Sequence, residues 1–311
     1  MLLSKIKIAL LDDISYSRCF SEYVSHKKND FMDVQIFTGL DSIRQYLADN
    51  VINILLVGQD MVNDLAGCRQ IKKIIVLSEG DSVCEYSEYP VIFKYQSIDR
   101  IIKEIFNIIA DDDSIEDCQA GFRRKDKEII GVFSPFGGSG VSMFSWKLVK
   151  QINSVKKTLY INLEMFDGLD IDRKKEYENE YIRGMSEAVF YIKQKKGKLG
   201  MKIQSIIHNY EGCDCILPVD DYRDLYSITA GDMNEFIDVI ARKTDYETII
   251  FDIGFISEAS LVLMKSCDKL MVPKAEDSFQ NKMQESFEKY LMREGMEDVL
   301  SNINFVNLCS Q

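Results

Sequence analysis

Short apolar runs rich in isoleucine, valine and leucine alternate with longer amphipathic stretches along most of the chain. This alternation is typical of β-α-β units, in which helices cover a sheet of parallel strands. It occurs twice, before and after a polar segment, residues 111–127, that is first acidic and then basic. We therefore predict an α/β protein with two doubly wound parallel-sheet domains, residues 1–110 and 128–311, joined by a linker.

The amino-acid composition is that of an ordinary globular protein and excludes several other classes of protein. Hydrophobic residues make up 46% of the 311 residues, which excludes a disordered chain. With 50 acidic and 38 basic residues the net charge is −12, so we expect no broad binding to nucleic acid or anionic lipid. Eight scattered cysteines and two histidines indicate neither a disulfide framework nor a His/Cys zinc site. The acid pair near the start argues against a signal peptide.

The apolar runs give predicted strands in each domain. In the first domain they are Ile6–Leu11, Val34–Phe37, Ile52–Val57, Ile74–Leu77 and Val91–Phe93. Helices are predicted around residues 15–27, 41–49, 60–71 and 97–109. In the second domain a helix is predicted from about Ser142 to Val155, and the predicted strands are Ile129–Phe133, Thr158–Leu163, Cys215–Leu217, Thr248–Asp252, Lys269–Val272 and Ile303–Val306.

Polar side chains end several strands of the first domain. Asp12 and Asp13 follow the first strand, Ser78 ends the fourth and Lys94 ends the fifth. Because ligands of doubly wound folds bind at the carboxyl edge of the sheet, these residues are candidates for a shared pocket. Polar residues left at strand ends without a function are the alternative.

This pattern resembles the receiver domain of response regulators, a flavodoxin-like fold, over residues 5–109. The resemblance implies that the acid pair holds Mg²⁺ and that an aspartate ending the third strand is phosphorylated. Gly58 stands at that position, and Tyr95 replaces the proline that usually follows the lysine. The resemblance is therefore to a pseudo-receiver, with protein–protein contact as its expected use. Whether the acid pair still binds metal is left open.

A glycine-rich turn follows the first strand of the second domain, in the sequence EIIGVFSPFGGSGVS. Glycines allow the backbone to approach phosphate oxygens closely, and the N-terminus of the following helix offers unpaired N–H groups. The loop matches the P-loop signature GxxxxGK[ST] imperfectly, with Pro135 at the first glycine and Val141 at the lysine. The deviant spacing KGGxGK[ST] fits better, and Ser142 would then ligate Mg²⁺. A glycine-rich strand–helix turn without a ligand is the alternative. The predicted phosphate-binding residues are Phe136, Gly137, Gly138, Ser139, Gly140, Val141, Ser142 and Met143.

Carboxylates follow two later strands of this domain. LYINLEMFDGLD places Glu164, Asp167 and Asp170 after one strand, and TIIFDIG places Asp252 at the end of another. Asp252 suits the role of a Walker B acid that holds Mg²⁺ directly or through water. With the loop, these acids predict a nucleotide site on a P-loop NTPase-like domain.

The order of these elements resembles the MinD/ParA class of P-loop ATPases across most of residues 128–311. The resemblance implies that Asn162 and Glu164 match the switch I aspartates, with Glu164 as the catalytic, water-orienting residue. It implies that Asp252 and Ser142 form the Mg²⁺ site and that Asn307 recognises adenine. It also implies a homodimer that closes across ATP.

Both lysines of the deviant Walker A loop are missing, since Phe136 and Val141 occupy their positions. Without these cations we expect ATP and Mg²⁺ to bind through backbone amides and the helix N-terminus, and hydrolysis to be weak or absent. Lys147 and Lys274 are candidate substitutes whose direction the sequence does not fix. The amphipathic membrane helix that ends MinD is not found, so we expect no direct membrane insertion.

A receiver-like domain fused to a MinD/ParA-like domain resembles the CpaE/TadZ proteins of Tad (Flp) pilus assembly. The resemblance implies a cytoplasmic localisation and assembly factor at a cell pole or the inner face of the envelope. Its pseudo-receiver domain would contact proteins of the pilus secretion machinery.

Three other functions are weighed against this one. The strongest alternative is an active ParA/MinD-like ATPase that positions another cargo. A DNA-segregating ParA-like protein conflicts with the net charge of −12, and a response regulator conflicts with Gly58.

Overall fold

The computed structural model divides into two compact units, Met1–Gly121 and Phe122–Gln311. It describes residues 5–26, 32–80, 88–112, 115, 127–166, 168, 184–195 and 197–308. Most of the predicted linker lies outside these residues, as do the two candidate carboxylates Asp167 and Asp170. Among the described residues, no helix combines the length and apolarity needed to cross a bilayer.

The first unit is built on a parallel five-stranded sheet of order β2-β1-β3-β4-β5. This is the strand order of flavodoxin-like doubly wound folds, so the predicted fold class is confirmed. The strands are β1 (Ile6–Leu11), β2 (Met32–Phe37), β3 (Ile52–Gly58), β4 (Ile71–Ser78) and β5 (Val91–Phe93). The helices are α1 (Ile14–His26), α2 (Leu40–Asp49), a 3₁₀ helix (Gln59–Asp64) and α3 (Ile98–Asp111).

Helix α3 shows how sequence pattern produces an element of this unit. The Ser97 hydroxyl accepts a hydrogen bond from the Arg100 N–H and caps the first turn. Ile101, Ile105 and Ile109, spaced one turn apart, are fully buried against the sheet. The helix predicted at residues 60–71 is wrong, because only the 3₁₀ helix forms there and Gly67 then turns the chain with φ of +77°.

The second unit is built on a seven-stranded sheet of order β12-β11-β6-β10-β7-β9-β8. Its strands are β6 (Glu128–Phe133), β7 (Thr158–Leu163), β8 (Ile207–Tyr210), β9 (Cys213–Ile216), β10 (Thr248–Ile253), β11 (Lys269–Pro273) and β12 (Ile303–Val306). Its helices are α4 (Val141–Asn153), α5 (Met185–Lys193), α6 (Leu199–Ile206), α7 (Tyr222–Ser227), α8 (Ala230–Lys243), α9 (Glu258–Ser266), α10 (Ser278–Arg293) and α11 (Glu297–Ser301).

All strand pairs of this sheet are parallel except β8 with β9, which form an antiparallel hairpin at one edge. The predicted elements omit β8. Its turn has Glu211 and Gly212 at φ of +48° and +81°, the conformation that an X-Gly hairpin turn requires. The central strands β6, β10 and β7 are buried nearly throughout. Their carboxyl ends therefore lie side by side beneath the loop that follows β6.

Candidate functional site

The glycine-rich loop joins β6 to α4, as predicted. Gly138 and Gly140 have φ of +70° and +77°, so both adopt the left-handed conformation that favours glycine. A Cβ atom added at either position, or at Gly137, would meet no described atom within 4 Å. Strand, loop and helix thus have the arrangement of a P-loop NTPase, with open space over the loop backbone.

The residues at the two lysine positions of the loop are buried rather than directed outward. Phe136 is 6% exposed and Val141 is 7% exposed. Val141 belongs to a core cluster that includes Trp146, Val149 and Tyr160. Ser139 and Ser142 are half-buried and Met143 is exposed, which leaves the loop without a cationic side chain.

Asp252 lies at the carboxyl end of β10, paired in register with Val132 of β6 and Asn162 of β7. Its side chain is fully buried, and its Oδ2 accepts a hydrogen bond of 2.8 Å from the Tyr160 hydroxyl. Burial raises the pKa of Asp252, while the hydroxyls of Tyr160, Ser142 and Ser145 act to lower it. This carboxylate is thus surrounded by hydroxyl groups.

Glu164 follows β7 and lies beside this carboxylate. Burial raises the pKa of Glu164 to about 7, the Asp252 charge adds to the rise, and the Ser142 hydroxyl opposes it. Among the described residues, no lysine or arginine contributes to the pKa of either acid. The structure therefore brings Ser142, Glu164 and Asp252 together as an oxygen-rich group that lacks a cation.

Two neighbours fix the position of Glu164. Its backbone N–H donates to Oδ1 of Asn162 at 2.8 Å, and Asn162 is itself buried. Gly254 lies so close that a Cβ atom there would come within 2.9 Å of the Glu164 Cα. Only glycine leaves room for this packing.

The oxygen-rich group suits a divalent cation better than a bare anion. Carboxylate and hydroxyl oxygens are the ligands that Mg²⁺ prefers in proteins. Oδ1 of Asp252 is buried and accepts no hydrogen bond of ordinary geometry from any described residue. A buried oxygen of this kind can be satisfied by a metal, by a water of its hydration shell or by one of the nearby serine hydroxyls. The oxygen atoms of Ser142 and Asp252, the two residues predicted to hold Mg²⁺, therefore have a chemistry that suits this ion, and Glu164 lies beside them.

Other predicted residues lie away from this group. Asn307 is exposed and follows the edge strand β12, which β11 separates from β6. Lys147 and Lys274, the candidate substitutes for the missing lysines, are both exposed. Neither influences the pKa of Glu164 or Asp252.

The sequence reasoning missed Tyr160, Ser145 and Gly254. A spacing signal existed for each of them. The strand period of two places Tyr160 on the face of Asn162, and Gly254 follows Asp252 by two residues. Ser145 follows Ser142 by three positions, which puts both hydroxyls on one face of α4.

The acid pocket of the first unit is occupied by its own lysine. Lys94 is 4% exposed, and its Nζ lies 2.7 Å from Asp12, 3.1 Å from Asp13 and 2.9 Å from Glu79. Burial alone would lower the pKa of Lys94, but these hydrogen bonds outweigh it and raise the pKa above its usual value. Gly58 borders the pocket, since a Cβ atom there would lie 3.4 Å from Oδ2 of Asp12.

The stability of the second unit is expected to depend on the ionisation of Glu164. A carboxyl whose pKa rises from 4.5 to about 7 on folding stabilises the protein below pH 4.5, and this contribution is lost as the pH rises to 7. Glu164→Gln should therefore stabilise the unit at pH 8 by about 1 kcal/mol, allowing for solvent screening, and not at pH 4.5.

Urea unfolding of the full chain at both pH values, followed by Trp146 fluorescence, measures this difference. Glu235→Gln is the matched control, because Glu235 is exposed on α8. Equal stabilisation by Glu164→Gln at pH 4.5 and pH 8 would contradict the expectation.

Comparison with known proteins gives structural similarity only. No protein-family model matches the sequence, and no curated protein sequence is similar to it. A ParA family ATPase from Chlorobium tepidum matches 58% of this chain and 73% of its own, at 17% identity and a TM-score of 0.46. A chain of the MinC:MinD cell division protein complex of Aquifex aeolicus matches 57% of this chain and 67% of its own, at 12% identity and a TM-score of 0.40.

A third solved structure was determined with ligands. Cobyrinic acid a,c-diamide synthase from Mycobacterium smegmatis, with a bound ATP analogue and magnesium, matches 58% of this chain and 72% of its own, at 12% identity and a TM-score of 0.41. Similarities of this size do not identify an activity.

Proposed function

We propose that the protein binds ATP with Mg²⁺ at the loop of residues 136–143 and hydrolyses it weakly or not at all. The observation that carries this proposal is the buried Asp252, with one unsatisfied oxygen, beneath an open glycine loop whose lysine positions hold buried apolar side chains. Backbone N–H groups and the N-terminus of α4 would hold the phosphates. Bound Mg²⁺ would offset their charge.

Slow hydrolysis follows from the same geometry. Phosphoryl transfer requires positive charge near the transferring group, and a single electrostatic partner contributes about 3–4 kcal/mol to lowering the barrier. Phe136 and Val141 supply none, and the neighbouring acids Glu164 and Asp252 carry the opposite sign.

Isothermal titration of the full chain with ATP tests this proposal. We expect binding in the presence of Mg²⁺ and phosphate release near background. Asp252→Asn should weaken the Mg²⁺-dependent affinity for ATP about 10-fold or more. The control is Asp238→Asn, a change at a half-buried residue of α8, which should leave this affinity within about 2-fold of wild type. Absence of binding at millimolar ATP and Mg²⁺ would overturn the proposal.

We further propose that the protein acts as a dimerising localisation and assembly factor of a Tad-type pilus system. The nucleotide would lie between two copies, and the pseudo-receiver unit would contact the secretion machinery. The resemblance of the two-domain arrangement to CpaE/TadZ proteins supports this. Light scattering with and without Mg²⁺ and ATP tests the dimer. Deletion of the gene, which should abolish pili, tests the cellular role.

An active ATPase that positions another cargo is the second candidate, and one observation favours it. Glu164 is half-buried beside Asp252 and the Ser142 hydroxyl, and burial raises its pKa to about 7, so near neutral pH it could act as a general base toward an attacking water. Phosphate release well above background that Glu164→Gln abolishes would establish this alternative.

A further inference from the structure

The Tyr160 hydroxyl is fixed against one oxygen of Asp252. Tyr160 pairs in register with Ile250 on the neighbouring strand, so its side chain points to the same face of the sheet as that of Asp252, two residues further on. The hydroxyl donates to Oδ2 at 2.8 Å, and the Tyr160 side chain is 1% exposed. This hydrogen bond is shielded from water and holds the carboxylate in one orientation.

The other oxygen, Oδ1, is the one left without a hydrogen bond of ordinary geometry in the described part of the chain. The two carboxylate oxygens therefore have different surroundings. Removing a group that forms a hydrogen bond to a metal ligand and orients it typically lowers the metal affinity 10- to 100-fold.

We propose that Tyr160 is a positioning residue, whose hydroxyl holds Oδ2 of Asp252 so that Oδ1 is presented to Mg²⁺ or its hydration shell. The inference rests on the proposed nucleotide site and adds a residue that acts through Asp252. Phosphate binding by the loop backbone does not involve the Tyr160 hydroxyl. Removing the Tyr160 hydroxyl should therefore weaken only the part of the nucleotide affinity that depends on Mg²⁺.

Trp146, the chain's single tryptophan, provides a direct reporter. Its ring meets the Tyr160 ring edge-on, with centroids 5.4 Å apart, and its Nε1 donates to Glu211 at 3.3 Å. Tyr210 contacts the same indole from the hairpin strand β8, with centroids 5.7 Å apart. Tyr210 therefore offers a matched control, since it touches the reporter but lies two strands away from β7.

The experiment compares wild type, Tyr160→Phe and Tyr210→Phe as full chains. ATP binding is measured by calorimetry in EDTA and in Mg²⁺, and Trp146 fluorescence is followed during a Mg²⁺ titration at fixed ATP. Tyr160→Phe should weaken the Mg²⁺-dependent affinity about 10-fold and shift the fluorescence midpoint equally, with ATP affinity in EDTA within about 2-fold of wild type. Tyr210→Phe should change neither midpoint nor affinity.

Two results would overturn the inference alone. The first is a Tyr160→Phe variant with wild-type Mg²⁺ dependence. The second is an equal loss of affinity in EDTA and in Mg²⁺, which would indicate a purely structural role. A wild-type protein that binds no nucleotide under either condition would instead overturn the proposed function, and this inference with it.

Discussion

Replacing Lys94 with methionine is expected to lower the stability of the first unit by about 3 kcal/mol or more, the largest effect that the structure indicates. The substitution removes the cation that Asp12, Asp13 and Glu79 share. Three neighbouring carboxylates, of which Asp12 is buried, are then left without a compensating positive charge. The Tyr16 N–H and Lys94 now hold the pKa of Asp13 at about 2, so the loss should be greatest near neutral pH.

Hydrogen exchange of the full chain, read by mass spectrometry on peptides from β1 and β3, measures this change in the first unit. Lys72→Met is the matched control, because Lys72 is exposed on β4. Adding Asp12→Asn to Lys94→Met should recover part of the stability, since no isolated buried charge then remains. Millimolar Mg²⁺ should also stabilise the single variant. Wild-type protection in Lys94→Met would show that the ion cluster contributes nothing.

Gly254→Ala is expected to have the second-largest effect, lowering the stability of the second unit by about 2 kcal/mol. The added methyl group would lie 2.5 Å from Oε2 and 2.9 Å from Cα of Glu164. The carboxylate could rotate away, but the Cα atom moves only if the end of β7 shifts. Because that shift moves Glu164, Mg²⁺-dependent ATP binding should weaken as well.

Gly231→Ala is the control for this substitution. Its added methyl group would meet only the Thr229 hydroxyl, at 3.8 Å, and alanine favours the helical conformation of α8. Urea unfolding followed by Trp146 fluorescence should show destabilisation by Gly254→Ala and none by Gly231→Ala. Equal stability of the two variants would show that the close packing at Gly254 is dispensable.

The sequence predicted most of the fold because the buried parallel strands are short apolar runs. Ile6–Leu11, Thr158–Leu163 and Ile303–Val306 form strands with the predicted bounds. The antiparallel strand β8 was missed because Ile207–Tyr210 is only partly buried and its sequence, IHNY, contains no run of apolar residues. The α-helix predicted at residues 60–71 does not form, because a 3₁₀ helix and the turn after it already bring the apolar residues of this segment into the core of the first unit.

The candidate site was predictable where a residue follows a strand and less so where it acts through a neighbour. Glu164 and Asp252 end strands, so the topology alone brings them to one edge. The contacts of Tyr160 and Gly254 depend on the register between β7 and β10, which a single sequence does not reveal. The absence of both loop lysines was visible in the sequence, but the burial of Phe136 and Val141 was not.

The burial of Val141 has a consequence for how this loop can change over generations. Its side chain fills space beside Trp146 and Val149, so a single substitution to lysine would place a charge there or empty that space. Restoring a cation to the loop would therefore require compensating changes in the surrounding core as well.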